Sequence, residues 1–200
     1  MTAVTVQTQA SHVIVTEDNN EIAVTTNNAQ VLLTAPGSQG LPGPQGPPRS
    51  EDSGVIYLKD NTVPTPIATI NGRAVASGTM LTSSLVNFEK DASTNSLKYK
   101  GTSGKFHAIA TFNFYAGSQD TCGFYIGVNR NDSSALDANA DRISESEIYS
   151  NAGSTSSQPQ AGCIQTLVQL NTNDRIFFIV QNKSRAHPIE VEFMKLIVRS

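Results

Sequence analysis

The chain has 200 residues, with 14 Lys and Arg against 17 Asp and Glu and no tryptophan. A net charge of -3 gives no basic field that would bind nucleic acid. No run of about 18 apolar residues exists that would insert into a membrane, and the N-terminus lacks the basic and apolar segments of an export signal. Abundant Asn, Ser and Thr with sparse charge are typical of β-rich proteins that are exposed at a surface.

Residues 1–35 predict short β-strands that are joined by tight turns. Apolar residues recur there in four groups: Val4 and Val6, 13–15, Ile22 and Val24, and 31–33. Such strands bury too little apolar surface to fold alone. We therefore expect this region to be an anchor or adaptor that folds on a partner or with sister chains. A partly disordered arm is the alternative.

Residues 36–48 carry glycine at every third position, at Gly37, Gly40, Gly43 and Gly46. The triplets are Gly-Ser-Gln, Gly-Leu-Pro, Gly-Pro-Gln and Gly-Pro-Pro, and the register stops at Arg49. Three polyproline-II chains wind together only if every third residue lacks a side chain at the axis. The pattern therefore predicts a collagen-like rod of three parallel copies in register. A stiff Pro/Gly linker in a monomer is the alternative.

Residues 49–200 predict an antiparallel β-sandwich, because short strands with turn signals follow one another with almost no helical period. The predicted strands are 55–58, 67–70, 85–88, 97–99, 106–114, 124–128, 163–170, 175–180 and 189–198. Asn71-Gly72 predicts a hairpin turn after the second strand. The stretch 133–147 is either a short helix or a long loop.

The late strands are apolar on both faces. In one of them Phe177 and Ile179 alternate with Ile176, Phe178 and Val180, and in the last strand Phe193 and Ile197 oppose three further apolar residues. A two-layer sandwich needs only one apolar face per strand. The excess indicates that one sheet packs against neighbouring subunits. For Phe177, a central strand that is buried within the chain is an equal alternative.

From Leu85 to Ser200 the order of segments resembles the C1q/TNF-like trimeric jelly roll, in the version found at the tips of collagen-like fibres of tailed phages and other large viruses. The segments that carry the resemblance are Leu97–Gly101, Gly104–Ala110, Phe124–Asn129, Leu167–Asp174 and Ile189–Val198. Asp174 matches the Asp that ends the turn before the penultimate strand in this family. Asn173 replaces the usual glycine and still tolerates a left-handed turn.

The valine-rich N-terminal strands that run into collagen triplets resemble the particle-attaching end of phage fibre proteins. Together the two resemblances imply a homotrimer at the virion surface, in which the N-terminal strands bind a capsid or tail protein. In that family the inner sheet of the knob lines the three-fold contact. If the pairing carries over, the strands at 106–114 and 189–198 belong to this sheet, and the side chains that face the axis are His107, Ile109, Thr111 and Asn113.

Some relatives bridge two loops at one end of the sandwich by a disulfide, which Cys122 and Cys163 would form here. Cytosolic assembly, which keeps thiols reduced, argues against this bond.

Asp132, Asp137 and Asp141 lie close together in a polar loop that could collect a calcium ion. Their spacing is not that of an EF-hand, and a solvated loop is the alternative.

The sequence contains no nucleophile elbow, HExxH motif or phosphate loop, and its three histidines, His12, His107 and His187, lie in unrelated contexts. We therefore expect neither an enzyme nor a cofactor. A glycan-cleaving enzyme would need paired carboxylates in a groove, for which Glu190 and Glu192 on one strand face are weak candidates.

The expected function is structural: a trimeric capsid decoration protein, or a head fibre, of a tailed phage. The small size and short rod favour the head over the tail. The alternatives are a short tail fibre that binds a host-surface receptor and a collagen-like adhesin on a cell surface. Host-surface glycans are the expected ligand class if the knob binds a ligand, and neither nucleic acid nor membrane insertion is expected.

Overall fold

The computed structural model describes residues 51–130, 135–155 and 157–200 in full and, before them, the backbone of three strands. These strands are β1 (Ile14–Asp18), β2 (Glu21–Thr26) and β3 (Ala29–Thr34), which form an antiparallel sheet in that order. They follow three of the four predicted apolar groups. Val4, Val6 and the glycine triplets lie outside the described residues. The chain divides into two compact units, 1–48 and 49–200.

The second unit is a sandwich of two antiparallel sheets. Sheet I contains, in spatial order, β13 (Gln160–Leu170), β10 (Gly104–Tyr115), β15 (Ile189–Arg199), β4 (Ser53–Leu58) and β7 (Leu81–Val86), with β5 (Pro64–Thr65) beside β15. Sheet II contains β12 (Ile148–Asn151), β11 (Thr121–Asn129), β14 (Arg175–Asn182), β9 (Ser96–Tyr99) and β8 (Phe88–Asp91), with β6 (Arg73–Val75) beside β14.

The strand pairing of this unit is nested. β4 pairs with β15, β9 with β14, β10 with β13 and β11 with β12, all antiparallel. The chain is thus a long hairpin of strands that is wound into two layers, which is the topology of a jelly roll. The predicted all-β jelly-roll sandwich is confirmed, and we call residues 49–200 the knob.

The two ends of the knob differ. At one end, the base, the chain enters and also finishes: Asp52 N donates to Ser200 Oγ (3.1 Å) and Ser200 N donates to Asp52 O (3.0 Å). The opposite end, the tip, is formed by loops that include 116–120, between β10 and β11, and 183–188, between β14 and β15. Residues 52 and 200 therefore lie together at the base, and the tip is the opposite end of the knob.

The core lies between the sheets and is rich in aromatic rings. The predicted inward residues of β10, namely Phe106, Ala108, Ala110, Phe112 and Phe114, are all buried, as alternation requires. Phe124 fills the centre, with ring centroids 4.3 Å from Phe112 and 4.6 Å from Phe114. A second group of rings closes the base, where Tyr99 packs edge-on against Phe106.

β14 is buried on both faces, but neighbouring subunits are not the reason. On the outer side of sheet II, Phe177 and Ile179 are fully buried in a second cluster with Tyr125 and Ala138. Ala138 belongs to the loop between β11 and β12, so the chain covers this face itself. The prediction that these residues pack against other subunits is wrong, and the alternative of a central buried strand is right.

Two turn predictions need correction. Asn71 does adopt a left-handed conformation (φ 63), and Gly72 N donates to Thr69 O (2.8 Å). However, 67–70 is not a strand, so no hairpin forms there. The predicted strand 85–88 is in fact split at Asn87 (φ 56), where the chain passes from β7 in sheet I to β8 in sheet II.

The stretch 133–147 is mainly loop in its described part. It contains a single 3-10 turn at Ser144–Ser146 and no α-helix among residues 135–147. Asp141 O accepts from Val128 N (2.7 Å) and Ile143 N donates to Ile126 O (2.9 Å), and these bonds to β11 hold the loop against sheet II. The loop alternative of the prediction is therefore confirmed for these residues.

Acid is expected to destabilise the knob in part through Asp91. Burial opposes its ionisation, but hydrogen bonds from Ser93 and from Arg175, whose Nε lies 3.0 Å from Asp91 Oδ2, lower the pKa of Asp91 from 3.8 to about 2. A lowered folded-state pKa adds stability above about pH 4, which is lost as the pH falls towards 2. The shift corresponds to about 2 kcal/mol.

The Asp91→Asn variant should lose stability of this order at pH 7. It should also lose less additional stability than the unaltered chain between pH 4 and pH 2. Urea unfolding at a series of pH values measures both effects. Parallel curves of stability against pH for the two proteins would show that Asp91 does not carry the effect.

Candidate trimer interface

The outer face of sheet I is the surface on which the predicted interface residues lie. Alternation along β10 turns His107, Ile109, Thr111 and Asn113 away from the core, and all four are half-buried. β10 and β15 are direct neighbours in sheet I, as the resemblance implied. The structure therefore places the four residues on one face of the expected sheet, and their contact with a neighbouring subunit stays a prediction.

Apolar side chains occur on neighbouring strands across this face. Ile109 is paired with Ile197 of β15, which is in turn paired with Val55 of β4, itself only 9% exposed. On the other side, Leu167 of β13 is paired with His107, next to Ile109, and 75% of its surface is exposed. We call Val55, Ile109, Leu167 and Ile197 the outer stripe.

A β-bulge extends this face towards the tip. Between Asn113 and Tyr115 the register with β15 shifts, so that Glu192 and Phe193 both turn outward. Asn113 holds the bulge, because its Oδ1 accepts from Phe193 N (2.6 Å) and its Nδ2 donates to Glu192 Oε2 (3.0 Å). Asn113 thus has a structural task within its own chain, and Phe193, 37% exposed, offers the apolar surface beside it.

Leu167, Val55 and the bulge are not among the predicted interface features. The signal for the bulge is a change of parity in the last strand, where the buried positions Ile189 and Val191 are followed by Met194 rather than by residue 193. Only an extra outward residue reconciles these positions with a strand period of two. Leu167 shares its parity with the exposed Gln165 and Gln169, so alternation along β13 does indicate that its side chain faces outward.

Charge is unequally distributed along the outer face. Lys105, His107 and Arg199 lie in the half nearest the base, and Glu190 and Glu192 lie in the half nearest the tip. The outer stripe crosses the region between them, and Lys195 of β15 lies on its tip side, paired with Thr111. The face therefore combines an apolar stripe with charged flanks, as protein–protein contacts do.

A polar cavity of about 790 Å³ opens at the base. Asp52 is fixed beside it, since Oδ1 accepts from Asn87 Nδ2 (2.6 Å) and Oδ2 accepts from the Tyr99 hydroxyl (2.5 Å). Burial and the Asp52 carboxylate raise the pKa of Tyr99, so its phenol stays a hydrogen-bond donor. These bonds tie the point where the chain enters the knob to strands β8 and β9.

Asp174 occupies the position that the resemblance assigned to it, at the end of the turn before β14. Asn173 is left-handed (φ 72), as expected, and the buried Asp174 carboxylate accepts from Asn171 N (2.9 Å) and from Arg130 (2.5 Å). This Asp therefore closes the turn and ties it to the end of β11.

The structure does not bring Cys122 and Cys163 together. Cys122 is buried in the core from sheet II, whereas Cys163 is exposed on the outer face of sheet I opposite Thr111, and both thiols are free. The predicted disulfide is wrong because the two side chains point to different sides of sheet I. Burial and the Asp120 carboxylate raise the pKa of Cys122 to about 12.

We expect two free thiols per chain. Alkylation of chains that are unfolded without reductant should add two groups, as read by intact mass. In the folded protein Cys122 should react at least about 100-fold more slowly than the exposed Cys163, because its thiolate is scarce and inaccessible. A chain that takes up no alkyl group after unfolding, but takes up two after reduction, would show that the disulfide is present.

The other predicted ligands do not form a metal site in the described part of the chain. Asp137 Oδ1 accepts from Asn139 N (2.8 Å) and Ala140 N (3.1 Å), which lowers its pKa, and Asp141 Oδ2 accepts from Asn129 Nδ2 (2.8 Å). Both carboxylates thus organise the loop. Asp132 and His12 lie outside the described residues, and within those residues no group of three or more His, Cys, Asp or Glu could hold a metal.

Comparison with protein-family models and with curated proteins finds no match. The solved structures that are similar to this chain include the following three, all at low identity. Eiger TNF from S. frugiperda is 12% identical with a TM-score of 0.45, and the match covers 74% of this chain and 93% of that one. Murine APRIL is 8% identical with a TM-score of 0.43, over 72% and 98% of the two chains.

The PRD1 vertex protein P5 is 15% identical with a TM-score of 0.42, over 74% of this chain and 94% of that one. With TM-scores below 0.5, these similarities carry no conclusion about function. The assignment of the jelly-roll fold is based on the strand pairing described above.

Within the described residues, no helix has the length and apolarity that crossing a bilayer requires.

Proposed function

We propose that this chain is a homotrimeric structural protein on the virion of a tailed phage, either a capsid decoration protein or a head fibre. Its N-terminal strands bind a capsid protein, the glycine triplets form a triple-helical spacer, and the knob projects from the particle. The observation that carries the proposal is the outer stripe, which leaves sheet I with an apolar outer face on a chain that also contains collagen-like triplets.

Each of these two features needs sister chains for its own physical reason. Glycine at every third residue is what a triple helix requires, and a triple helix has three parallel copies. Four triplets are too few to hold three chains together, so another part of the chain must associate. The outer stripe is suited to this task, because burying Ile109, Leu167 and Ile197 against a second copy removes apolar surface from water.

The length of the spacer favours the head of the particle. At about 3.1 Å per residue the triplets at 37–48 span roughly 37 Å. A shaft of this length lifts a knob just clear of a capsid surface. A fibre that reaches a host cell from a tail generally requires a longer shaft.

Two measurements test the proposal. Light scattering on the full chain should give a mass three times the 21.3 kDa of one chain. Imaging of particles that carry a label on the knob should show signal at repeated positions over the capsid. A monomer in solution would overturn the trimer, signal confined to the tail would replace the decoration role by adsorption, and absence from particles would favour the cell-surface adhesin.

A further inference from the structure

The tip of the knob carries a shallow depression of about 260 Å³. The residues that line it include Tyr115, His187, Glu190 and two prolines, Pro64 and Pro188. The residues come from β5, from the ends of β10 and β15, and from the loop before β15. Apolar rings and hydrogen-bonding groups are therefore combined in one open, small space at the end remote from where the chain enters.

A fully buried carboxylate lies directly beneath this depression. Asp120 Oδ2 accepts from Asn182 Nδ2 (2.8 Å) and contacts His187 Nδ1 (3.1 Å), while its Oδ1 has no hydrogen-bond partner and lies 3.7 Å from Arg185 Nε. Gly117 makes this approach possible, since a Cβ there would come within 2.5 Å of Asp120 Oδ2. Asp120 is thus held against the floor of the depression.

This contact fixes what His187 offers to a ligand. A carboxylate can only accept, so the hydrogen of the neutral ring resides on Nδ1 and points to Asp120. In the neutral ring Nε2 is then an acceptor, on a side chain that is 46% exposed. Glu190 adds a second acceptor to the depression. The depression therefore offers a ligand hydrogen-bond acceptors, which bind hydroxyl or amide hydrogens.

The charge around the depression restricts the ligand further. Tyr115 lies close to Glu192 and Glu190, and burial together with these carboxylates raises its pKa. Three carboxylates, those of Glu190, Glu192 and Asp120, lie around the depression. Among the described residues one cation, Arg185, faces them. A sulfate, phosphate or sialic acid carboxylate would be repelled. A ring with several hydroxyls, an apolar face and no negative charge suits the site.

We propose that the tip depression binds a neutral or N-acetylated hexose of a surface glycan. Tyr115 and the prolines contact the apolar face of the sugar, and His187 and Glu190 accept hydrogen bonds from its hydroxyls. The space is below the usual range for drug-sized ligands, about 300–1,000 Å³, which suits a single sugar ring. This inference rests on the proposed function, because the tip is the part of the knob that a particle would present.

Saturation-transfer NMR on the full-length protein tests the site, with the methyl glycosides of N-acetylglucosamine, galactose and glucose as neutral probes and sialyllactose as the anionic probe. We expect at least one neutral probe to bind in the millimolar range and sialyllactose not to bind through its sialic acid. His187→Gln and Tyr115→Ala should each weaken binding about tenfold or more. Tyr149→Ala is the matched control, since Tyr149 is an exposed tyrosine (49%) at the edge of sheet II and should be without effect.

The mass of every variant is measured first, so that the two proposals fail separately. A trimer that binds none of the probes, or binds sialyllactose as well as the neutral sugars, overturns the sugar site and leaves the proposed function intact. Binding that survives His187→Gln and Tyr115→Ala but is lost in Tyr149→Ala also overturns it, because the sugar then sits on sheet II. A wild-type chain that is monomeric overturns the proposed function whether or not a sugar binds.

Discussion

The Ile109→Glu variant is expected to be a folded monomer, in contrast to a trimeric unaltered chain. Ile109 lies at the centre of the outer stripe, where it is paired with Ile197 on one side and Gln165 on the other. A carboxylate at this position remains hydrated in a monomer. In a trimer it would be buried without a partner in all three copies, at a cost of several kcal/mol for each. Light scattering gives the mass, and far-UV circular dichroism reports whether the knob is folded.

Ile70→Glu is the matched control for this experiment. Ile70 is an exposed isoleucine (60%) that lies in the turn before β6 and not on the outer face of sheet I. The control should remain a trimer. Leu167→Glu provides a second test at a more exposed member of the stripe. Trimers in both stripe variants would show that another surface holds the chains together.

The charge distribution of the outer face makes a dimer the most informative contrary result. In an antiparallel pair of knobs, the basic half with Lys105 and Arg199 would meet the acidic half with Glu190 and Glu192. In a parallel trimer, like charges lie at the same height. A mass of two chains for the unaltered protein would therefore indicate antiparallel pairing of the knobs and would contradict the parallel register that the glycine triplets require.

The Phe124→Ala variant is expected to lower the free energy of unfolding by about 3–5 kcal/mol, the usual cost of removing a buried phenylalanine. Phe124 is fully buried at the centre of the core, with ring centroids 4.3 Å from Phe112 and 4.6 Å from Phe114. Truncation leaves a cavity lined by rings that cannot collapse into it. Urea unfolding followed by tyrosine fluorescence measures the change.

Two further variants bracket this result. Phe124→Leu fills most of the space and should lose less than half as much stability as Phe124→Ala. Tyr149→Ala removes an aromatic ring at the surface and should change the free energy of unfolding by at most about 1 kcal/mol. Equal losses in Phe124→Ala and Tyr149→Ala would show that the aromatic cluster does not dominate the stability of the knob.

Local patterns predicted the strands of the knob well. The period of two in β10 fixed which residues face the core, from Phe106 to Phe114, and this face is confirmed. Alternation is visible whenever one face of a strand is buried and the other is not. The same reasoning placed His107, Ile109, Thr111 and Asn113 on the outer face before any neighbour was known.

The errors arose where distant parts of the chain meet. Ala138 and its loop cover Phe177 and Ile179, and no local pattern records which loop will lie over which strand. Cys122 and Cys163 were paired by analogy with relatives, although the core direction of one and the outer direction of the other follow from their strands. Leu167 was overlooked for the same reason, since its role depends on the strand beside it.

The nested pairing of the knob has a consequence for synthesis on the ribosome. β15 lies between β10 and β4 at the middle of sheet I, so that sheet cannot form until Ile189–Arg199 has been translated and has left the ribosome. Translation at about 5–20 residues per second leaves the earlier strands exposed for several seconds, which favours binding by chaperones. In the proposed trimer, three finished knobs would then align their chains, and the triple helix would wind backwards, from Gly46 towards Gly37.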